Sequence, residues 1–144
     1  MGARRRGRVI AFQSLYRAEV GGAGLAEVLD FEWMEGPRGG VPDADTLAFA
    51  RLLIQGTLEN LPAVDEAIRR ELENWDFSRL NKVDLAILRM GVYCLLYQAD
   101  IPASVTIDEA IEIARSFGTE DSYRFVNGVL NAVRKRGLAP GEPR

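Results

Sequence analysis

The segment Asn81 to Leu96, NKVDLAILRMGVYCLL, constrains the fold more than any other part of the chain. Its apolar residues Val83, Ile87, Leu88, Val92, Tyr93, Leu95 and Leu96 spread around most of the circumference of a helix, whereas a surface helix confines them to one stripe. Such a helix has to be surrounded by others, which predicts a central core element with Asn81 as its N-cap. Every other convincing periodicity in the chain is also helical, and no alternating run is long enough to predict a strand. The expected fold class is all-α, with about seven helices.

A first helix is expected over Arg5 to Val20, with Val9, Phe12, Leu15 and Tyr16 as its apolar stripe and Gly21-Gly22 as its terminator. A second is expected over Leu25 to Glu35. Glycine and proline mark Gly36 to Pro42 as a loop, after which Asp43 or Asp45 can cap a third helix reaching Asn60. Pro62 suits the first turn of a fourth, running through Ala67, Ile68 and Leu72 to about Trp75. Phe77 to Leu80 connects it to the central helix, which Ile101-Pro102 breaks. Thr106-Ile107-Asp108-Glu109 has the form of a capping box and predicts a sixth helix starting there, with Ile107, Ala110, Ile111, Ala114 and Phe117 inward. A left-handed Gly118 is expected to close it. Thr119 or Asp121 then starts a seventh helix, ending at Gly137, with Val126, Val129, Leu130 and Val133 inward. This gives one domain over residues 1–137 and a loose tail over 138–144.

The chemistry available is narrow. The chain has no histidine, which removes Ser-His-Asp catalysis, His-assisted zinc binding and the HExxH motif. Its single cysteine, Cys94, lies within the apolar run MGVYCLLY, so there is no disulfide framework and no CxxC pair. Asp108, Glu109 and Glu112 suit an exposed helix face and a cap better than a metal site. The expectation is a protein with no cofactor, no metal and no enzymatic activity. With 47% apolar and 27% charged residues among 144, it belongs to the ordinary soluble globular class. No uninterrupted apolar stretch follows the basic N-terminus, and Arg89 breaks the most hydrophobic segment, so a cytoplasmic location is expected.

Net charge is only −3, but its distribution is uneven: Arg4, Arg5, Arg6 and Arg8 crowd the start, while Glu27, Asp30, Glu32 and Glu35 follow. Arginines at a helix N-terminus oppose the macrodipole, at a cost of about 0.3–1 kcal/mol each when exposed. The cluster suits phosphate binding, and it equally suits a solvated, frayed terminus. Arg6, Ile10, Gln13 and Arg17 share a face beside the apolar stripe, which would extend a hydrogen-bonding surface or simply be solvated. Asp121 and Phe125 lie nearly a quarter turn off the Val126 stripe. Phe125 is therefore either a core-edge residue or a partly exposed aromatic of the kind on which single-stranded RNA bases stack.

The stretch from Val105 to Gly118, VTIDEAIEIARSFG, followed by Glu120 to Leu130, EDSYRFVNGVL, resembles the NusB transcription antitermination family. The resemblance continues upstream through Arg4-Arg5-Arg6, Gln13-Ser14-Leu15-Tyr16 and Val83-Asp84-Leu85-Ala86-Ile87-Leu88-Arg89, and so covers nearly the whole chain. It implies two small helical bundles packed together. It also implies a bacterial factor that binds the boxA element of nascent ribosomal RNA transcripts with the ribosomal protein NusE, within the RNA polymerase antitermination complex. Matched position by position, it implies RNA contacts at Arg4, Arg5, Arg6, Arg8, Gln13, Tyr16, Phe117, Asp121, Arg124 and Phe125, and a NusE-facing Asp84. Ser78-Arg79 and Ala103-Ser104 carry no strong mark of the family.

Two further readings stand beside this one. A related helical domain begins certain ribosomal RNA cytosine methyltransferases, but this chain shows no glycine-rich strand-to-helix loop and no catalytic cysteine pair. A helical dimerisation module is the other, and a homodimer could coexist with RNA binding by covering the same surface.

Overall fold

The computed structural model describes residues 2–22, 24–31, 42–73 and 75–137. Among these, seven α-helices and one 3-10 turn make up the regular structure: α1 (Ala3–Gly21), α2 (Leu25–Leu29), α3 (Ala44–Glu59), α4 (Leu61–Arg70), the turn Phe77–Arg79, α5 (Lys82–Tyr97), α6 (Ala103–Phe117) and α7 (Ser122–Arg136). The all-α expectation holds.

Helix α5 is the axis of the molecule, as its apolar circumference requires. Every residue from Asp84 to Leu96 is buried, and the helix packs against α1 and α3 on one side and α4, α6 and α7 on the other. Helices α1–α3 and α4–α7 thus form two small bundles that share α5. Each fully buried aliphatic side chain contributes about 1.5–3 kcal/mol, so α5 alone carries a large part of the hydrophobic stabilisation.

Both bundles are pinned by an ion cluster under this helix. Arg89 donates to both carboxylate oxygens of Asp65 on α4, each at 2.9 Å, and to Glu19 of α1 at 2.6 Å. Arg89 and Asp65 are both 8% exposed. Burial opposes the Arg89 charge, but its two carboxylate partners outweigh that and raise its pKa, while Arg89 holds Glu19 below the usual carboxylate range.

Local signals fix several helix starts. Asp43 accepts from the Thr46 amide at 2.8 Å and Asn81 from the Val83 amide at 2.8 Å, as N-cap side chains do. Pro62 lies in the first turn of α4, and Gly22, with φ 68°, ends α1.

Other boundaries differ from the sequence reading. Helix α2 stops at Leu29; Phe31 takes φ 57° and buries its ring beneath the Arg51 guanidinium. Residues 32–41, which hold Glu32, Glu35 and most of the expected loop, lie outside the described residues, as does the tail 138–144. Helix α4 stops at Arg70 and not near Trp75. Glu71 and Leu72 bond three residues back instead of four, so the last turn tightens. Glu71 and Glu73 at this end would also oppose the helix dipole.

Helix α6 begins at Ala103, one turn before the expected cap, because the Pro102 carbonyl already accepts from the amides of Val105 and Thr106. Thr106 is therefore interior and buried, its hydroxyl without a hydrogen-bond partner. Glu109 points elsewhere. Gly118 is not left-handed but extended, with φ −92° and ψ −169°. Its lack of a Cβ matters for another reason: one built there would lie 2.4 Å from Ser122 Oγ, which accepts from the Thr119 amide at 2.9 Å. Asp121 stands at the N-cap position of α7, but its side chain makes no capping bond.

Candidate nucleic-acid interface

The arginine-rich start of α1 is helical, and α3 and α6 hold it in place. At Gly7 the two backbones of α1 and α3 come close: a Cβ there would meet Phe49 Cδ2 at 2.9 Å and the Thr46 carbonyl at 3.2 Å. That approach sets the guanidinium carbons of Arg4 and Arg8 over the Phe49 ring at 4.4 and 5.2 Å from its centroid. Cation–π contact of this kind holds two like charges against one aromatic ring.

The next arginine is held by a carboxylate. Arg5 Nη2 donates to Glu109 Oε2 at 2.9 Å and its Nε to Oε1 at 3.2 Å, which raises the Arg5 pKa. Arg8 Nη1 lies 3.6 Å from the same carboxylate. Burial lowers the Arg8 pKa, with Arg4 and Arg5 adding to the effect. Arg8 is only 7% exposed, so among the four arginines it forms the floor of the surface and not its rim. Arg4, Arg5 and Arg6 are exposed.

Further along α1 the expected polar face is interrupted, because Ile10 is in the core. Gln13, Tyr16 and Arg17 meet Phe12, Val83 and Phe117 around a mainly apolar pocket of about 330 Å³. Phe117, which its spacing assigns to the buried face of α6, is instead 44% exposed, its ring 5.2 Å from that of Phe12. It is the last residue of α6.

The remaining residues cluster on α7. Tyr123 has two guanidinium groups beside it, that of Arg115 at 4.6 Å from its centroid and that of Arg124 at 5.4 Å, whose Nε also donates to the Tyr123 hydroxyl at 3.1 Å. Asp121 is exposed, and Phe125 is half-buried against the core. The ring of Phe125 lies 6.3 Å from that of Trp75, which is 58% exposed. Helix α6 joins the two clusters, with Phe117 reaching α1 and Arg115 reaching α7.

Asp84, the residue that the resemblance implies faces NusE, lies in the first turn of α5. Its carboxylate is 8% exposed, burial raises its pKa against a weaker opposing effect of Ser122, and Oδ1 has no hydrogen-bond partner. In that turn of α5 it is Val83 that reaches the open pocket.

Three features of this surface are absent from the sequence reading: Glu109 as the partner of Arg5, the contacts of Tyr123 with Arg115 and Arg124, and Trp75 beside Phe125. The second had a signal in the adjacency of Tyr123 and Arg124. The other two join residues far apart in the chain and had none. Cys94, by contrast, is core as expected; burial pushes its thiol up to about 12. No group of histidine, cysteine or carboxylate side chains among the described residues could hold a metal ion, and no described helix is long and apolar enough to cross a membrane.

Among the described residues, seven helices in two bundles around a shared axis, with cationic and aromatic side chains clustered on α1, α6 and α7, define an all-helical interaction protein. The chain belongs to the NusB family, whose sequence model matches residues 5–135. It is 46% identical over 133 residues to the transcription antitermination protein NusB of Treponema denticola, covering 92% of this chain and 96% of that one. A NusB structure from T. maritima superposes with a TM-score of 0.83 at 42% identity, over 96% of this chain and 94% of the other. A structure of the antitermination factors NusB and NusE in complex with double-stranded RNA shares the fold at TM-score 0.78 and 24% identity, over 94% and 98% of the two chains.

Proposed function

We propose that this protein is a transcription antitermination factor that binds the boxA RNA of nascent ribosomal RNA transcripts together with the ribosomal protein NusE. The observation that carries the reading is the joining of the arginine-rich helix to the exposed Phe117 ring, which lines one pocket with Arg5 and Arg8. Arg4, Arg5 and Arg6 stand exposed at the start of α1, and Phe117 closes the same side at the end of α6. Guanidinium groups neutralise phosphates, and exposed rings stack unpaired bases, which together are what single-stranded RNA recognition needs. The family membership and the name of the Treponema relative support the same role.

In this reading Arg4, Arg5, Arg6 and Arg8 meet the backbone, and Phe117, Phe125 and Arg124 meet bases. Gln13 and Asp121 exchange hydrogen bonds with base edges, Asp121 only as an acceptor. Tyr16 and the apolar pocket beside it face the partner protein or the strand it delivers. Titrations of fluorescent boxA RNA at a series of salt concentrations test the assignment. Replacing Arg4, Arg5 and Arg6 with Ala is expected to flatten the dependence of log K on log salt by about 0.7 for each phosphate that is no longer neutralised. An unchanged slope would remove the arm from the interface.

A further inference from the structure

Arg5 and Arg8 converge on one carboxylate that belongs to another helix, 104 residues further along the chain. The two N–H···O bonds from Arg5 to Glu109, at 2.9 and 3.2 Å, have the fork geometry in which arginine also grips a phosphodiester. The same residues line a pocket of about 280 Å³ with Val9, Ile113, Ser116 and Phe117, and with the exposed Glu112 as a second carboxylate that also acts on Arg5. At its floor Arg8 is a largely desolvated cation, and the carboxylate nearest to it stands 3.6 Å away, beyond hydrogen-bonding range. A second anion would find one guanidinium incompletely matched and another held by a group it can replace.

We propose that this pocket is a subsite for a single RNA backbone phosphate, and that in the free protein the Glu109 carboxylate holds the phosphate's place. Binding at this point is then an exchange. Arg5 leaves Glu109 for the phosphate, Arg8 backs the new anion from below, the Ser116 hydroxyl donates from the rim, and Phe117 lies beside the attached nucleoside. The exchange lowers the affinity gained at this point by the cost of parting Arg5 from Glu109. A strand whose phosphate misses the subsite leaves Arg5 on Glu109 and gains nothing there. The inference rests on the RNA-binding function proposed above and adds to it a residue that opposes binding.

The test compares Glu109→Gln with Asp108→Asn, which removes the same unit of charge from the neighbouring, exposed position of α6. Each is titrated against the same single-stranded boxA RNA over a salt series, with thermal midpoints measured alongside. Glu109→Gln is expected to bind about fivefold more tightly at low salt, as removal of one ion pair allows. Its salt dependence is expected to be steeper by about 0.7, because in the wild type the freed Glu109 carboxylate takes up a counterion as the phosphate releases one, and glutamine does not. Asp108→Asn is expected to keep the wild-type slope. Should Glu109→Gln lower the thermal midpoint by more than a few degrees, Glu109→Asp serves instead. It keeps the charge but withdraws the carboxylate by one methylene, and it too is expected to bind more tightly than wild type. Wild-type binding with Glu109→Gln indistinguishable from Asp108→Asn, or with Glu109→Asp at wild-type affinity, overturns the subsite and leaves the RNA-binding function standing. A wild-type protein that binds no RNA at any salt concentration overturns both.

Discussion

Replacing Arg89 with Leu is expected to be the most damaging single change in the core. The guanidinium is 8% exposed and makes three hydrogen bonds, two to Asp65 at 2.9 Å and one to Glu19 at 2.6 Å. Removing it leaves Asp65, also 8% exposed, as a buried carboxylate without its cation, a situation that costs about 3–5 kcal/mol. Glu19 is more exposed and can turn to water, so it adds little. For a chain of this size that loss lowers the thermal midpoint by about 10–20 °C. The double variant Arg89→Leu/Asp65→Leu removes both buried charges and is expected to recover most of the loss, because apolar replacement of a buried pair is often neutral or stabilising. Acid should shrink the difference between wild type and Arg89→Leu slightly, through Glu19. Arg89 depresses the Glu19 pKa, so the stability this contributes is complete above the ordinary carboxylate pKa of about 4.3 and is lost as pH falls through the lower folded value. Thermal unfolding followed by circular dichroism between pH 7 and pH 3.5 reads all three effects. A single variant within about 3 °C of wild type at pH 7, or a double variant no better than the single, would refute the reasoning.

Three other outcomes follow from the geometry. With Trp33 replaced by Phe, Trp75 is the one remaining tryptophan, and its emission is expected to change on RNA addition because its ring lies 6.3 Å from Phe125; Phe125→Asp should weaken RNA binding about tenfold or more while leaving helicity intact, and retained binding would dismiss stacking at that position. Gly7→Ala is expected to cost about 1–3 kcal/mol and to weaken RNA binding in parallel, since its Cβ drives α1 away from Phe49 and the Thr46 carbonyl; denaturant melts and titrations of the same preparation measure both. Cys94, with its thiol pushed up to about 12, should resist alkylation by iodoacetamide at pH 8 in the folded protein and react once the chain is unfolded.

How much of this could be read from the sequence depends on how far apart the determining residues lie. The central position of α5 was legible because its apolar residues surround the helix within a single segment, and the Asn81 and Asp43 caps were legible because each cap and its amide are two or three residues apart. The start of α6 was misread for a local reason. Thr106 and Glu109 match a capping box, but the Pro102 carbonyl begins the hydrogen-bond ladder a turn earlier and turns Thr106 inward. At the end of α4, Leu72 continues the apolar spacing, so the tightened turn that releases Trp75 left no mark in the pattern. The surface divides along the same line. The cluster Arg4 to Arg8 is contiguous in sequence, whereas the contacts that shape it, Arg5 with Glu109 and Phe12 with Phe117, each join α1 to α6 across about a hundred residues. The burial of Arg8 and Asp84 was likewise invisible, because charged residues on a helix are ordinarily solvated and only the packing of neighbouring helices covers these two.

The central claim is that the cationic and aromatic side chains of α1, α6 and α7 recognise boxA RNA, and fluorescence anisotropy tests it most directly. The purified protein is titrated against boxA RNA and a scrambled RNA of equal length, with and without NusE, at two salt concentrations. Tighter binding to boxA than to the scrambled strand, weakened by salt and strengthened by NusE, is the result expected. Equal, weak binding to both RNAs, unchanged by NusE, would contradict the account.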